Sequence, residues 1–305
     1  MDNRGEVREF LASRRGRITP ERAGLPNLGG HRRVPGLRRE EVAMLAGVSV
    51  DYYTRLERGN LGGVSQSVLE SLAQALQLDE AERSHLLDLA RAANDGMVAR
   101  GRRRSSPRGV RPGLQRILDA VTDAPADVRN ARRDVLAANR LSRTLYSEMY
   151  DDPVRPANLA RFTFLNPRSK DFFPDWEKGA NDLVASLRIE AGSNPYDRDL
   201  SDLIGELSTR SDEFAARWAT HNVRLHNTGT KRIHHPIAGD LVLSYEVLKM
   251  PGDPGLSLAI YTAEPGSPTE EALRFLGSWS DANEGLPRDR DPAPDAANET
   301  TRGTP

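Results

Sequence analysis

Apolar positions in the first third of the chain repeat at helical spacing. Val7, Phe10 and Leu11 share one face of a predicted helix over Glu6 to Arg14. Ile18 to Gly36 is broken by glycine and proline and reads as a connection longer than the usual link between helices, carrying His31, Arg32 and Arg33. Leu37 to Gly59 holds two short helical patterns on either side of Gly47. Ser65 to Leu76 and Asp79 to Ala93 each open on a capping residue, and Val68, Leu69, Leu72, Leu76, Leu86, Leu87 and Leu89 supply their apolar side. About five helices result, an all-α domain over residues 1–98.

Residues 99–112 have no apolar period and read as a basic linker. From Gly113 the pattern is mixed. Helical spacing is predicted for Leu114 to Ala120, Asp171 to Glu190, Asp199 to Leu207 and Asp212 to Ala219, and a strand for Arg133 to Ala138. The period then switches to two. Val223 to His226, Arg232 to His235, Leu241 to Leu248 and Leu256 to Thr262 alternate, separated by Asn-Thr-Gly-Thr, Ile-Ala-Gly-Asp and Pro-Gly-Asp-Pro-Gly turns, which predicts an antiparallel meander. Thr269 to Leu276 closes with a helix. The expectation for 113–279 is therefore an α+β domain with helices stacked on one face of an antiparallel sheet, followed by a disordered tail over 280–305.

The segment 37–59 carries the sharpest chemistry. Gly47 sits where a tight turn needs a positive φ, and a bulky side chain at Ala43 would hold the second helix away. Ser49 is suited to cap that helix, with Tyr53 and Leu56 turned inward. This is the pattern of a helix-turn-helix, whose second helix enters the major groove of a DNA operator. Val50, Asp51, Tyr52 and Arg55 are the candidates for base edges, since arginine can donate twice to guanine and Val50 or Tyr52 can meet a thymine methyl. Asp51 is suited to accept from cytosine or to cap the helix, and the cap is favoured. Arg38, Arg39, Thr54, Arg58 and Asn60 are placed for phosphate contacts, and Arg32 and Arg33 for the backbone or minor groove; Ser49, at the start of the second helix, counts among the DNA-binding residues.

The run Arg-Arg-Val-Pro-Gly-Leu-Arg-Arg-Glu-Glu-Val-Ala-Met-Leu-Ala-Gly-Val-Ser-Val-Asp-Tyr-Tyr-Thr-Arg-Leu-Glu-Arg-Gly, residues 32–59, resembles the Xre/Cro-type helix-turn-helix regulators, and among them the MmyB-like branch. Further phrases agree in order: Asp-Val-Leu-Ala-Ala-Asn (134–139), Asn-Leu-Ala-Arg-Phe-Thr-Phe-Leu (158–165), Leu-Arg-Ile-Glu-Ala-Gly (187–192), His-His-Pro-Ile-Ala-Gly-Asp-Leu (234–241) and Tyr-Thr-Ala-Glu-Pro-Gly-Ser-Pro (261–268). The resemblance implies a transcription regulator whose C-terminal domain is PAS-like and binds a small apolar ligand, a long-chain fatty acid being the leading class. No Gly-x-Ser-x-Gly elbow, Gly-rich phosphate loop or paired-carboxylate signature appears in the chain, so no catalytic residue and no cofactor is expected.

Composition narrows the picture without changing it. The net charge is only −1, but residues 1–112 carry 20 Arg against 14 acidic residues, whereas the remainder is acidic. The basic part suits a polyanion and the acidic part should point away from it. The absence of cysteine excludes disulfides and thiolate chemistry. An apolar leader and a run of 18 apolar residues are both missing, so a bacterial cytoplasmic location, on the nucleoid through DNA, is expected, with no membrane partner. A homodimer on an inverted repeat is the expected assembly.

For the ligand, Phe162, Phe164, Trp176, Trp218, Leu243, Tyr245 and Tyr261 are the candidate lining of an apolar pocket of a few hundred Å³, and Arg188, His221 or His235 are candidates to meet a carboxylate. Two other readings compete. The C-terminal domain is otherwise a protein-interaction module, or a metal-dependent enzyme built on His221, His226, His234, His235 and Asp240, which lack a defensible ligand spacing.

Overall fold

A computed structural model of the chain describes residues 3–25, 36–95, 109–221 and 227–283. The N-terminal unit contains α1 (Asn3–Arg17), α2 (Arg39–Leu45), α3 (Val50–Glu57), α4 (Gln66–Ala75) and α5 (Glu80–Asp95). All five expected helices form, with α1 three residues longer at each end than its apolar period marked. Their shared core holds Val7, Phe10, Leu11, Val42, Tyr53, Leu56, Leu72 and Leu89, each nearly or wholly out of contact with water. Arg32 and Arg33 lie outside the described residues, as do 96–108 of the expected linker.

The second unit opens with α6 (Pro112–Ala120), proline at its first position where no backbone donor is needed. There follow β1 (Ala126–Asn130), β2 (Val135–Ala138), α7 (Arg140–Leu145), α8 (Ser147–Tyr150), α9 (Leu159–Leu165), α10 (Ser169–Phe172), α11 (Trp176–Ser193), α12 (Arg198–Arg210) and α13 (Asp212–Trp218). The chain ends its described part with β3 (Thr228–His235), β4 (Gly239–Lys249), β5 (Leu256–Thr262) and α14 (Pro268–Asn283). The five strands form one antiparallel sheet in the order β2-β1-β5-β4-β3.

Four expectations for this unit need correction. The strand read at Arg133 to Ala138 begins only at Val135, because Arg133 adopts φ +68° in the turn after β1, and β1 itself was not anticipated. The single helix read over Asp171 to Glu190 is two, since Pro174 cannot donate a backbone hydrogen bond and separates α10 from α11. The Asn-Thr-Gly-Thr segment is not wholly a turn, for Thr228 to Thr230 already pair with β4. The final helix continues through Ser280 to Asn283, so the tail does not begin at 280. The strand expected at Val223 to His226 lies outside the described residues.

The sheet has two covered faces at β1, which explains why its period-two signal failed: all five of its residues are buried. Ala126 and Val128 meet Leu114 and Leu118 of α6 on one side. Asp127 and Arg129 face the other way, toward the layer of α7 to α13. On that inner face Ile233, Leu241, Leu243, Ala259 and Tyr261 pack against Leu145, Phe172, Trp176, Leu183 and Leu187. On β4 the outer positions Val242 and Leu248 are exposed, which restores the alternation there.

Candidate nucleic-acid interface and ligand cavity

The α2–α3 turn is made by Gly47 at φ +67°. Its amide donates to the Met44 carbonyl at 3.2 Å and the Val48 amide to that of Ala43 at 2.9 Å, which closes α2 in a Schellman arrangement. At the other end of α2 the Arg38 amide donates to Glu41 Oε2 at 2.6 Å. Ser49 then caps α3, its Oγ accepting from the Tyr52 amide at 3.1 Å. Ala43 is completely buried beneath the turn, so the space for the second helix exists only because that side chain is a methyl.

Val50, Asp51 and Arg55 stand on the solvent side of α3, with Tyr52 and Thr54 half-buried beside them. The Arg55 guanidinium lies 5.0 Å from the centre of the Tyr52 ring, a contact that extends and orients it along the helix surface. Arg38 and Arg58 are exposed. Asn60 donates to the Arg55 carbonyl at 3.3 Å, which ties it to the end of α3. Arg39 has a structural attachment that the sequence does not disclose: its guanidinium pairs with the buried Glu57 carboxylate. Arg15 of α1 donates to the same carboxylate at 2.6 Å, and the hydrogen bond and charge of Glu57 raise the Arg39 guanidinium above its ordinary range. Glu57 thus joins α1, α2 and α3 and fixes the recognition helix against its support.

In the second unit a cavity of about 150 Å³ lies between the sheet and α9 and α11. Exposed Asp175, Lys178, Thr230 and Arg232 surround its mouth, and Arg129, Arg133, Lys231 and Tyr261 reach its inner wall. Of the anticipated lining residues, Trp176, Tyr245 and Tyr261 border it. Phe162, Phe164, Trp218 and Leu243 do not. Phe162 packs edge-on against Phe172 and Phe173, Phe164 against Trp176 and Phe214, and Trp218 stacks on Phe214 at 5.6 Å, because these rings face the helical layer. Leu243 is wholly buried in the core. The cavity is smaller and more cationic than the apolar pocket expected.

The three anticipated head-group residues are also elsewhere. His235 is buried, its Nδ1 accepting from the amides of Ile237 and Ala238 and its Nε2 donating to the Thr144 carbonyl at 3.2 Å. Burial lowers its basicity. Arg188 does meet a carboxylate, but that of Glu6 in α1, at 2.6 Å. It lies over the Trp218 ring at 4.1 Å, donates to the Trp218 carbonyl, and reaches His221 Nδ1 at 2.9 Å. The other ring nitrogen of His221, Nε2, sits 3.0 Å from Glu9. Burial opposes ionisation of Glu6, and the imidazoles of His221 and His85 with the Arg188 charge outweigh it, holding the carboxyl well below its ordinary range.

Three cations around the cavity were not foreseen. Arg129 pairs with Asp127 and donates to Tyr261 Oη at 2.9 Å. Arg133 has no hydrogen-bond partner on its buried Nε among the described residues. Lys231 extends among the rings of Phe173, Tyr146 and Tyr261, at 4.8, 5.6 and 5.9 Å from their centres, with Tyr146 Oη 3.3 Å from its Nζ. Burial, with the Arg129 charge, pushes the Lys231 ammonium down to about 7, against the opposing pull of Asp127. Such a site favours an anion, because incoming negative charge compensates cations that have lost water. Position on the inward register of β1 and β3 is the only signal that could have found Arg129 and Lys231, and β1 was not recognised.

The histidine-rich stretch forms no common centre among the described residues. His234 pairs with Asp240 at 2.6 Å on the exposed β3–β4 hairpin, His235 is committed to backbone, and His226 lies outside the described residues. Glu6, Glu9 and His221 do converge within 4.8 Å, but the Arg188 guanidinium occupies that group and would repel a cation.

A capped and exposed α3 on a glycine turn, joined to an α+β domain with an internal cavity, defines a DNA-binding protein with a sensory domain. Residues 110–276 match the MmyB-like transcription regulator ligand binding domain, and residues 7–86 match a helix-turn-helix domain. The first match spans more than half of the chain, which belongs to the MmyB-like transcription regulator family and is a ligand-responsive transcription regulator. No curated protein matches the chain. Among the described residues no helix is long and apolar enough to cross a membrane.

Proposed function

We propose that the protein is a sequence-specific, non-enzymatic regulator of the Xre type. In this reading it binds an inverted repeat of double-stranded DNA as a homodimer, and its PAS-like domain senses a small acid with an apolar body, a fatty acid being the leading class. The observation that carries the ligand class is the cavity wall, where Lys231 and Arg133 face a space bordered by Tyr245, Tyr261 and Trp176. A carboxylate meets the two cations while a hydrocarbon meets the rings. Its 150 Å³ is below the ~300–1,000 Å³ of sites that enclose a whole drug-sized ligand, so the site encloses the acidic end of such a molecule and a long acyl chain requires it to widen.

Denaturing extraction of the purified protein followed by mass spectrometry should recover an acyl acid, and adding palmitate to delipidated protein should raise its melting temperature. Recovery of nothing, together with no shift, overturns the fatty-acid reading. In-vitro selection of bound duplexes should return a palindromic sequence contacted by Val50, Tyr52 and Arg55. A selected site without two-fold symmetry overturns the homodimer.

A further inference from the structure

One helix belongs to both the cavity and the DNA-binding unit. The N-terminal two-thirds of α11 line the cavity through Trp176, Gly179, Ala180, Leu183 and Ser186, at the three- and four-residue spacing of one helix face. Its last turns dock on the other unit. Ile189 packs against the N-terminal core, and Ser193 Oγ donates to Asp88 of α5 at 3.0 Å. Gly192 meets the His85 ring so closely that a methyl there would overlap it. Arg188, with none of its side chain exposed, holds Glu6 of α1. Ser186 and Arg188 are two residues apart on a rigid element, about 3 Å along the axis.

We infer that α11 is the coupling element of this regulator: filling the cavity shifts α11, and the Glu6–Arg188 latch with the Gly192–His85 contact passes that shift to the helix-turn-helix unit. The inference rests on the ligand-sensing reading above, and it adds the route by which that site acts. The buried latch suits a two-state contact. An ion pair withdrawn from water is stable when fully made and costly when half made, so intermediate displacements of α11 are disfavoured. Arg133 supplies a second connection, since it borders the cavity and its charge acts on Glu190 of α11.

The test uses the full chain, palmitate as probe, and a duplex recovered by selection, with DNA affinity read by fluorescence anisotropy and palmitate binding by calorimetry. In the parent protein palmitate should change DNA affinity by about fivefold or more, and DNA should change palmitate affinity by the same factor. Glu6→Gln and Arg188→Met should bind palmitate as the parent does, with the DNA response reduced below about twofold. Gly192→Leu, which wedges α11 away from α5 by pushing on His85 and leaves both charges of the latch in place, should do the same and guards against misfolding of either charge variant.

A full DNA response in Glu6→Gln and Gly192→Leu overturns the coupling route while leaving ligand sensing intact. Failure of palmitate to bind counts instead against the fatty-acid reading, and the route is then judged by filling the cavity from within. Ser186→Phe should alter DNA affinity in the parent background and not in combination with Glu6→Gln. No change with Ser186→Phe, or the same change in both backgrounds, overturns the coupling.

Discussion

Glu57, the last residue of α3, accepts a hydrogen bond from Arg15 of α1 at 2.6 Å while its side chain is 2 % exposed. Arg39 of α2 pairs with the other carboxylate oxygen, and the Tyr53 hydroxyl lies 3.5 Å away. A carboxylate shared by three helices adds a directional constraint to the packing of Tyr53 and Leu56 in setting the pose of the recognition helix. Glu57→Ala should therefore destabilise the N-terminal unit by ~1.5–3 kcal/mol, because two guanidinium groups that both still reach water lose their shared counter-charge. Arg39→Ala, at an exposed group, should cost far less. Urea unfolding of the two variants checks the order, and equal losses would remove Glu57 from this role.

At the turn, Gly47 has open space around the position of a Cβ and a φ of +67°. The cost of substitution is then backbone strain and not collision. Gly47→Ala should lose ~1 kcal/mol or slightly more, and Gly47→Asn less, since asparagine tolerates the left-handed region. Ala43→Leu should lose ~1–3 kcal/mol by overpacking, because Ala43 is fully buried beneath α3. Thermal melts of the three variants give the ranking.

Base reading and phosphate anchoring should separate in binding assays. Arg55→Ala should cost ~1–3 kcal/mol and relax one base position, whereas Arg38→Ala should weaken all sequences alike and reduce the salt dependence by about one contact. An unchanged binding-site logo with Arg55→Ala would move the reading face elsewhere.

Lys231 gives the cavity a pH signature. Its ammonium is lowered to about 7, so an anion binds best when that group is protonated, and affinity should fall as pH rises above about 7, by up to tenfold per unit. Lys231→Met should weaken palmitate binding at pH 6 and flatten the profile. Calorimetry between pH 6 and 9 measures both.

Glu6 predicts the opposite limb. A carboxyl held below its ordinary value of 4.5 stabilises the folded contact above that pH and loses this contribution as pH falls through the lower folded value. Docking of the two units should weaken progressively below pH 4.5, and Glu6→Gln should be weak already at neutral pH. Hydrogen exchange of α1 and of the last turns of α11 reports this directly.

Local chemistry made the helix-turn-helix legible in the chain itself. The positive φ at Gly47, the cap at Ser49 and the inward Tyr53 and Leu56 are short-range demands that no distant partner has to satisfy, and the meander from β3 to β5 is written in its alternation. The cavity was not written there. β1 is covered on both faces and loses its period, so Arg129 reads as an ordinary charge. Arg188, Arg133 and Lys231 likewise acquire their roles only from residues far off in sequence, Arg188 from Glu6 across 182 positions. Periodicity reports whether a side chain faces inward. Which buried charge meets which partner depends on how separate elements are brought together, and that is decided only in three dimensions.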